Sequence, residues 1–400
     1  MFRLIKKLKD KGRWRIFKLK LIDARLYFVS IFVGLLTGLI AVPYHYMLQY
    51  FFNLRHDFFN SHPKWYWYLP LFLLMWGILI FVSWLVKKMP LITGGGIPQT
   101  RGVINGRVAY KHPFIELVAK FVGGILALST GLSLGREGPS VQIGSYVGFL
   151  VSKWGRVLTG ERKQLLAAGA GAGLAAAFAA PLASSLLVIE SIQIDAIVPG
   201  MTFWSQVKLF LLLAAVVSVF GKFFSVTTLQ VKRIYPAIKH SEYVKMLYLL
   251  FIAFLISMAE VNLTGGGEQF LLLQATSPDT HILWIVGMML LHFVFSIFSF
   301  SSGLPGGSFI PTLVTGGLLG QIVALIMVRQ GVIAYENISY IMLICMSAFL
   351  VAVVRTPLTA IVLITEITGH LEVFYPSIVV GGLTYYFTEM LQIKPFNVIL

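Results

Sequence analysis

The sequence is poor in charged residues and has almost no cysteine. Only 12% of its 400 residues are charged, about half the share that a soluble protein carries. Cys345 is the single cysteine, so an intrachain disulfide is excluded. The eight histidines lack the close pairing of a metal site, and no P-loop motif for nucleotides occurs. We therefore expect neither a metal nor a cofactor, and an ordinary soluble domain is excluded.

Long apolar runs take the place of the missing charge. Apolar residues make up 57% of the chain, and its mean hydropathy is +0.82. About 20 apolar residues span a bilayer as a helix, whereas several runs here are shorter or rich in glycine. The pattern predicts an all-α polytopic membrane protein with tilted, interrupted helices. The runs are 26–52, 67–86, 114–130, 165–192, 203–220, 246–258, 282–300, 312–327, 340–354 and 373–391.

Positive charge is concentrated at the N-terminus, in a chain whose net charge is +16. Beside a membrane span, such charge favours a cytoplasmic position. We therefore predict a basic cytoplasmic segment at 1–25 and a membrane domain at 26–400. A nucleic-acid-binding arm is the soluble alternative and is not expected here, and no small-residue cleavage site indicates a signal peptide. The basic residues are Arg3, Lys6, Lys7, Lys9, Lys11, Arg13, Arg15, Lys18 and Lys20.

The membrane domain contains an internal repeat. Glycines follow Pro139 after five and nine residues, and they follow Pro311 at the same two distances. The segments "PLASSLLVIE" and "PLTAIVLITE" each begin with Pro-Leu and end in glutamate. Four matches in the same order predict two homologous halves, about 26–195 and about 203–400. Repeats with interrupted helices are typical of secondary transporters, whose site lies between the halves.

Three segments have the composition of a helix that begins inside the membrane: "GGGIP" (94–98), "GREGP" (135–139) and "GGSFIP" (306–311). The unpaired N–H groups of a first helical turn attract an anion, and glycine lets the backbone approach it closely. Glu137 can place its own carboxylate where a substrate anion would bind. When charged it blocks the path, and when protonated it can leave. The sequence therefore predicts a proton-linked gate, whereas the glycine-rich "LTGGGEQF" (263–270) is interpreted as a loop.

With these motifs the chain resembles the CLC family of chloride channels and proton–chloride antiporters. "GGGIP" is similar to the family's GSGIP, "GREGP" is identical to its second motif, and "GGSFIP" resembles GxFxP. "GLAAAFAAPLASSLLVIE" and "VRTPLTAIVLITEIT" also resemble its helices. The resemblance implies a CLC-type inverted repeat, a homodimer with one pathway per subunit, and an anion path lined by backbone N–H groups.

The resemblance also implies roles for individual residues. Glu137 corresponds to the gating and proton-coupling glutamate. Lys120 would add positive electrostatic potential, and Glu116, one helical turn earlier, could pair with it. Phe309 and Ile310 would offer backbone N–H groups to the anion. The full set of candidate anion-binding residues is Gly95, Gly96, Ile97, Arg136, Gly138, Phe309, Ile310 and Asn397.

Three positions depart from the family pattern. Gly95 replaces a serine whose hydroxyl contacts the anion, and Asn397 stands where the family has a tyrosine. Ser191 replaces a glutamate that takes up protons from the cytoplasm, while the acid before it is kept as Glu190. Ser191 and Glu190 are the candidates for the proton path, with water carrying protons past the serine. Anion selectivity and proton coupling are therefore expected to be weakened.

The residues and the resemblance together predict transport of chloride or similar small monovalent anions. Loosely coupled proton antiport gated by Glu137 is the first interpretation, and a passive CLC channel is the alternative. A remote third interpretation is an intramembrane hydrolase with Ser133 of "GLSLG" as nucleophile and His292 as base. That motif needs a strand–turn–helix context, so no enzyme is expected. The expected location is the bacterial inner (plasma) membrane, with lipid and a second copy as partners.

Overall fold

Helices are the only regular secondary structure among the residues that the computed structural model describes, and one isolated bridge is the only strand-like pairing among them. These residues are 2–61, 63–155, 159–178, 203–238, 240–276, 281–368 and 373–392. The helices are α1 (Phe2–Asn60), α2 (Tyr68–Lys88), α3 (Ile97–Ile104), α4 (Pro113–Ser129), α5 (Glu137–Trp154), α6 (Thr159–Phe178), α7 (Phe203–Ile234), α8 (Glu242–Ala259), α9 (Glu268–Thr276), α10 (Ile282–Ser301), α11 (Phe309–Arg329), α12 (Ile338–Val354), α13 (Pro357–Thr368) and α14 (Phe374–Met390).

Seven of the described helices are long and apolar enough to cross a membrane, namely α1, α2, α7, α8, α10, α11 and α12. Three others, α3, α9 and α13, have only 8, 9 and 12 residues and are too short to cross. This mixture confirms the prediction of an integral, polytopic membrane protein with interrupted helices. The basic segment is continuous with the first span, because α1 begins at residue 2.

The site-bearing helices lie in the interior of the molecule. In the most apolar 18-residue stretches of α11 and α12, 83% and 78% of the residues are buried, against 22% and 28% in α1 and α2. The outer helices expose large apolar side chains such as Phe28, Leu39 and Leu73. An apolar surface of this extent marks contact with a membrane or a partner. The motif at the start of α11 is therefore surrounded by protein.

Two helix triplets, α4–α5–α6 and α10–α11–α12, follow the predicted repeat. In each triplet the middle helix begins two residues before a proline, which is Pro139 or Pro311. The glycines after these prolines lie where the middle helix packs on the third. A Cβ atom at Gly144 would overlap the backbone of α6, and one at Gly316 would press on a side chain of α12. The repeated glycines are thus positions of close helix packing.

The helix ends define two faces. The Lys87 ammonium lies 4.6 Å from the centre of the Tyr243 ring, which brings the end of α2 to the start of α8. On the other side Phe59 of α1 packs on Phe254 of α8 with ring centroids 5.2 Å apart; we call this side the opposite face. The first side, here called the basic face, carries Lys87, Lys88, Lys232, Arg233 and Lys245.

Candidate functional site

The two halves of the chain meet where the loops before α5 and α11 pair. The N–H group of Gly135 donates to the Gly307 carbonyl at 2.5 Å, and the N–H group of Gly307 donates back to Gly135 at 2.6 Å. Both glycines stand four residues before a motif proline, so they are equivalent positions of the repeat. The Gly94 carbonyl accepts from the Gly306 N–H group at 3.1 Å. The three motifs therefore converge on one place, here called the junction.

Glu137, the first residue of α5, is fully buried at the junction. Its carboxylate lies against Gly135 and Gly307, which have no side chains to exclude it. The N–H group of Ile310 in the first turn of α11 faces the carboxylate. Neither carboxylate oxygen, however, forms a hydrogen bond of full geometry with any described residue. The carboxylate thus lies in a pocket of backbone groups and has no side-chain partner among the described residues.

The backbone approaches Glu137 closely because glycines line the junction. Gly138 packs on Gly95, and a Cβ atom at Gly138 would overlap the Gly95 carbonyl group. Helix α3 begins at Ile97 and α11 begins at Phe309. The starts of both helices are therefore brought to the junction, where the Ile310 N–H group of α11 faces the buried carboxylate. The set of residues that binds the anion stays a prediction.

Lys120 forms hydrogen bonds with the loop of the first motif. Its ammonium group is fully buried in α4, and it donates to the Ile92 carbonyl at 2.8 Å and to the Gly94 carbonyl at 2.6 Å. Carbonyl oxygens bound to an ammonium group cannot also face an anion. The lysine thus favours a loop conformation that offers N–H groups to the junction.

Glu116 does not pair with Lys120, so that prediction is wrong. Its Oε1 atom accepts hydrogen bonds from the N–H groups of Lys111 and His112, both at 3.2 Å. Free N–H groups at the start of a helix stabilise a carboxylate in the first turn, and Glu116 lies in the first turn of α4. Lys120 is therefore left without a carboxylate partner among the described residues.

Gln142 belongs to the site although no motif reveals it. It is fully buried in α5, and its Nε2 atom donates to the Leu91 carbonyl at 2.8 Å. Its Oε1 atom lies so close to Gly96 that a Cβ atom there would come within 2.5 Å of it. Gly96 also has a φ of 81°, which favours glycine. A polar residue on a buried helix, five positions after Glu137, was the only available signal.

Cavities reach the junction from both faces. One cavity of about 420 Å³ has Lys232 and Arg233 of the basic face in its wall and Gly138 and Phe309 at the junction. Toward the opposite face, a smaller cavity of about 30 Å³ and a larger one of about 500 Å³ share Arg136, Glu268 and Ile310 in their walls. The smaller cavity is also lined by Leu48, Gln49, Phe52, Leu128, Leu134 and Gly265. Glu137 lies between the cavities of the two faces, so its carboxylate can separate them.

Arg136 forms an ion pair with Glu268 rather than with the neighbouring Glu137. The distance between Nη2 and Oε2 is 3.4 Å, and the two side chains are 28% and 38% exposed. The segment 264–267 is a loop, as predicted, but α9 begins at Glu268, so the loop prediction is wrong for 268–270. The sequence held a signal for Glu268, because an acid follows glycines there just as Glu137 follows Gly135.

Three predicted site residues, Glu190, Ser191 and Asn397, lie outside the described residues. Ser133 and His292, the pair of the hydrolase interpretation, are both fully buried. Ser296 lies between them, with its Oγ atom 2.7 Å from Ser133 and 3.4 Å from His292. Ser133 stands in a loop between two helices, so the strand–turn–helix context is missing.

The fold and the site define a class: an integral membrane protein whose two homologous halves enclose a buried carboxylate between opposed cavities. The family model described as voltage gated chloride channel matches residues 78–201 and 194–389. The chain belongs to this family, which confirms the CLC resemblance and the expectation that the protein is not an enzyme.

Individual relatives extend this result. The H(+)/Cl(−) exchange transporter ClcA of Vibrio cholerae serotype O1 is 31% identical, over 92% of this chain and 87% of the relative. The protein of the same name from Klebsiella pneumoniae is 30% identical, over 88% and 83%. The crystal structure of a slow cyanobacterial Cl⁻/H⁺ antiporter matches 94% of this chain and 96% of its own, with 25% identity and a TM-score of 0.80.

Proposed function

We propose that the protein exchanges chloride for protons across a membrane, with Glu137 as gate and proton carrier. One observation carries the proposal: a fully buried carboxylate lies between opposed cavities, faces a backbone N–H group and has no side-chain partner among the described residues. Relatives named as H(+)/Cl(−) exchange transporters and a structural neighbour named as a Cl⁻/H⁺ antiporter support chloride and protons as the exchanged ions.

One carboxyl group in two protonation states is enough to link the two ions. When Glu137 is charged, it is itself the anion at the junction and closes the path between the cavities. When it takes up a proton, it is neutral and can be replaced by chloride beside the same N–H groups. An isolated charge is costly in an apolar interior, so the site holds the carboxylate or the chloride ion in turn. Each chloride that passes therefore depends on a proton at Glu137.

The anion at the junction is bound by the backbone. The first-turn N–H groups of Phe309 and Ile310 and the start of α3 supply the donors, and Lys120 supplies positive charge from behind the loop. Arg136 attracts the ion from the side of the smaller cavity. The other candidate anion-binding residues in this assignment are Gly95, Gly96, Ile97, Gly138 and Asn397.

A passive channel is the second candidate, because Ser191 replaces the glutamate expected on a proton path. The reversal potential of the purified protein in planar bilayers, under crossed chloride and pH gradients, separates the two. A channel reverses at the chloride equilibrium potential whatever the pH gradient. An exchanger reverses at a potential that the pH gradient displaces, and we expect this result. A protein that carries no chloride under any gradient would contradict both candidates.

We propose that the basic face and the N-terminus are cytoplasmic and that the membrane is the bacterial inner membrane. The lysines and arginines of the basic face support this orientation through the positive-inside rule. The exposed apolar side chains of α1 and α2 suit contact with lipid. A homodimer with one pathway per subunit rests on the family resemblance alone. Neither nucleic acid nor a cofactor has a part in this function.

A further inference from the structure

We propose that Glu268 is a tethered competitor of chloride at the opposite face: its carboxylate occupies Arg136 and thereby sets how strongly that face captures the anion. The role of Glu268 rests on the proposed exchange function. It adds a second carboxylate to the path, one that remains outside the junction and controls access rather than carrying the proton.

The position of the ion pair supports this role. Arg136 and Glu268 both line the smaller cavity together with Ile310, whose N–H group faces the buried Glu137 carboxylate. An anion that approaches the junction from the opposite face therefore passes the guanidinium group of Arg136 first. The Glu268 carboxylate already lies 3.4 Å from that group, so it holds the position that an arriving chloride ion would take.

The backbone before Glu268 fixes the competitor in place. Gly265, Gly266 and Gly267 all have positive φ, at 71°, 108° and 79°. The N–H group of Gly265 donates to the Gly131 carbonyl at 3.1 Å, which ties this loop to the loop that precedes Arg136. The pairing of Arg136 with Glu268 is thus built into two connected loops and is not a chance meeting of two surface side chains.

Arg55, a second cation near this cavity, cannot take over the role of Arg136. Arg55 is only 4% exposed, and its Nη1 atom donates to Ser257 at 3.0 Å and to Thr264 at 2.5 Å. A Cβ atom at Gly131 would come within 2.5 Å of the same guanidinium group, so the loop backbone covers it. Arg136, with 28% of its side chain exposed, is the one cation among the described residues that line the smaller cavity.

Competition by Glu268 should affect chloride capture at one face of the membrane only. Removing the Glu268 charge should strengthen chloride capture at the opposite face and leave capture at the basic face unchanged. Partly exposed ion pairs contribute up to about 1 kcal/mol, so the apparent KM for chloride at the opposite face should fall about two- to fivefold, or about 0.4–1 kcal/mol. The ratio of chloride to protons should not change, because Glu137 carries the proton.

The test uses chloride uptake into right-side-out and inside-out membrane vesicles, which expose one face each. We expect Glu268→Gln to lower the KM for chloride in the vesicles that expose the opposite face. The maximal uptake rate, and the KM in the vesicles that expose the basic face, should not change. Glu268→Asp keeps the charge near Arg136 and should stay close to the native KM. Glu260→Gln is the matched control, since it removes a charge from the same face. The Glu260 carboxylate accepts a hydrogen bond from the Asn262 side chain at 2.8 Å and not from Arg136.

The possible outcomes test the role of Glu268 separately from the proposed exchange function. An unchanged KM in Glu268→Gln, an equal change at both faces, or an equal change in Glu260→Gln would overturn the competition. A loss of thermal stability without a change in KM at the opposite face would show that the ion pair only stabilises the fold. This result would also overturn the competition. If the native protein moves no chloride in either type of vesicle, the proposed exchange function itself is wrong.

Discussion

Gly95 and Gly96 are neighbours in the first motif, yet a side chain would meet different surroundings at each. A Cβ atom at Gly95 would lie 3.5 Å from the Gly307 Cα atom and 3.6 Å from the Gly306 carbonyl oxygen, which is ordinary van der Waals contact. At Gly96 it would lie 2.5 Å from Gln142 Oε1, on a backbone whose φ of 81° favours glycine. The structure therefore accepts a serine at position 95 and resists one at position 96.

This difference gives a sharp test of how the anion is bound. The junction of the native protein offers backbone groups and no hydroxyl at position 95. A hydrogen bond to a charged group contributes about 1.5–3 kcal/mol, so one added donor should be measurable. We predict that Gly95→Ser tightens chloride binding about tenfold, or about 1.4 kcal/mol, in calorimetric titration of the purified protein.

Gly96→Ser is the control for this substitution. It adds the same hydroxyl one position away, where the side chain collides with Gln142 and the backbone is strained, so it should lower thermal stability and not improve binding. An unchanged affinity in a stable Gly95→Ser variant would mean that the hydroxyl cannot reach the ion.

Glu137→Gln tests the gate itself. Glutamine is a permanently neutral copy of the protonated side chain, so it cannot shuttle a proton and has no charge with which to replace the anion. We predict that this variant still carries chloride, without pH dependence and without proton movement, in a liposome assay that follows chloride flux and internal pH together. Proton uptake against its gradient, driven by chloride in Glu137→Gln, would show that another group carries the proton.

At the scale of helices, the junction depends on how tightly α5 packs on α6. The backbone of α6 lies where a Cβ atom at Gly144 would be, at the Gly169 carbonyl, and a backbone group cannot move aside as a flexible side chain can. We predict that Gly144→Ala forces the two helices apart and costs about 1–3 kcal/mol, as overpacking usually does. The midpoint of thermal unfolding in detergent measures the effect.

Gly171→Ala is the matched control for this packing, because it places the same methyl group on α6 where no atom lies within 4 Å. Alanine is favoured over glycine in a helix by up to about 1 kcal/mol, so this variant should be neutral or slightly more stable. Equal losses in both variants would mean that the close contact of α5 and α6 is not what makes Gly144 necessary.

The sequence predicts those elements whose cause is local. The starts of α3, α5 and α11 follow from glycine and proline spacing, and the repeated glycines after Pro139 and Pro311 indicate equivalent helix packing. The contacts that complete the site are not local. Lys120 could be identified as a buried cation, but its carbonyl partners at residues 92 and 94 come from a loop whose path the sequence does not reveal. The expected partner, Glu116, is bound to N–H groups at the start of its own helix.

At the scale of the whole molecule, the two faces differ in the charge of the cavities that lead to the junction. The cavity toward the basic face has about 420 Å³ and has Lys232 and Arg233 in its wall, whereas the two cavities at Arg136, of about 30 and 500 Å³, have its ion pair with Glu268 in their walls. The positive charge of the basic face should therefore favour the entry of chloride from that side. The proton must also reach Glu137, through an interior where a bare charge is costly.

The delivery of that proton decides how tightly the two ions are coupled. The family resemblance implies a glutamate relay on the cytoplasmic side, and this chain has Ser191 at that position. Serine can donate and accept hydrogen bonds, so water beside it could pass protons, but it cannot hold one as a carboxylate does. We predict slow or loosely coupled exchange in the native protein and faster or tighter coupling in Ser191→Glu, measured as proton uptake driven by a chloride gradient in liposomes.

Ser191→Gln is the control for this substitution. Its side chain has nearly the size of the one in Ser191→Glu but no titratable group, so it should not improve coupling. If Ser191→Glu and Ser191→Gln behave alike, the proton reaches Glu137 by another path. If the native protein moves chloride but no protons, it is a channel.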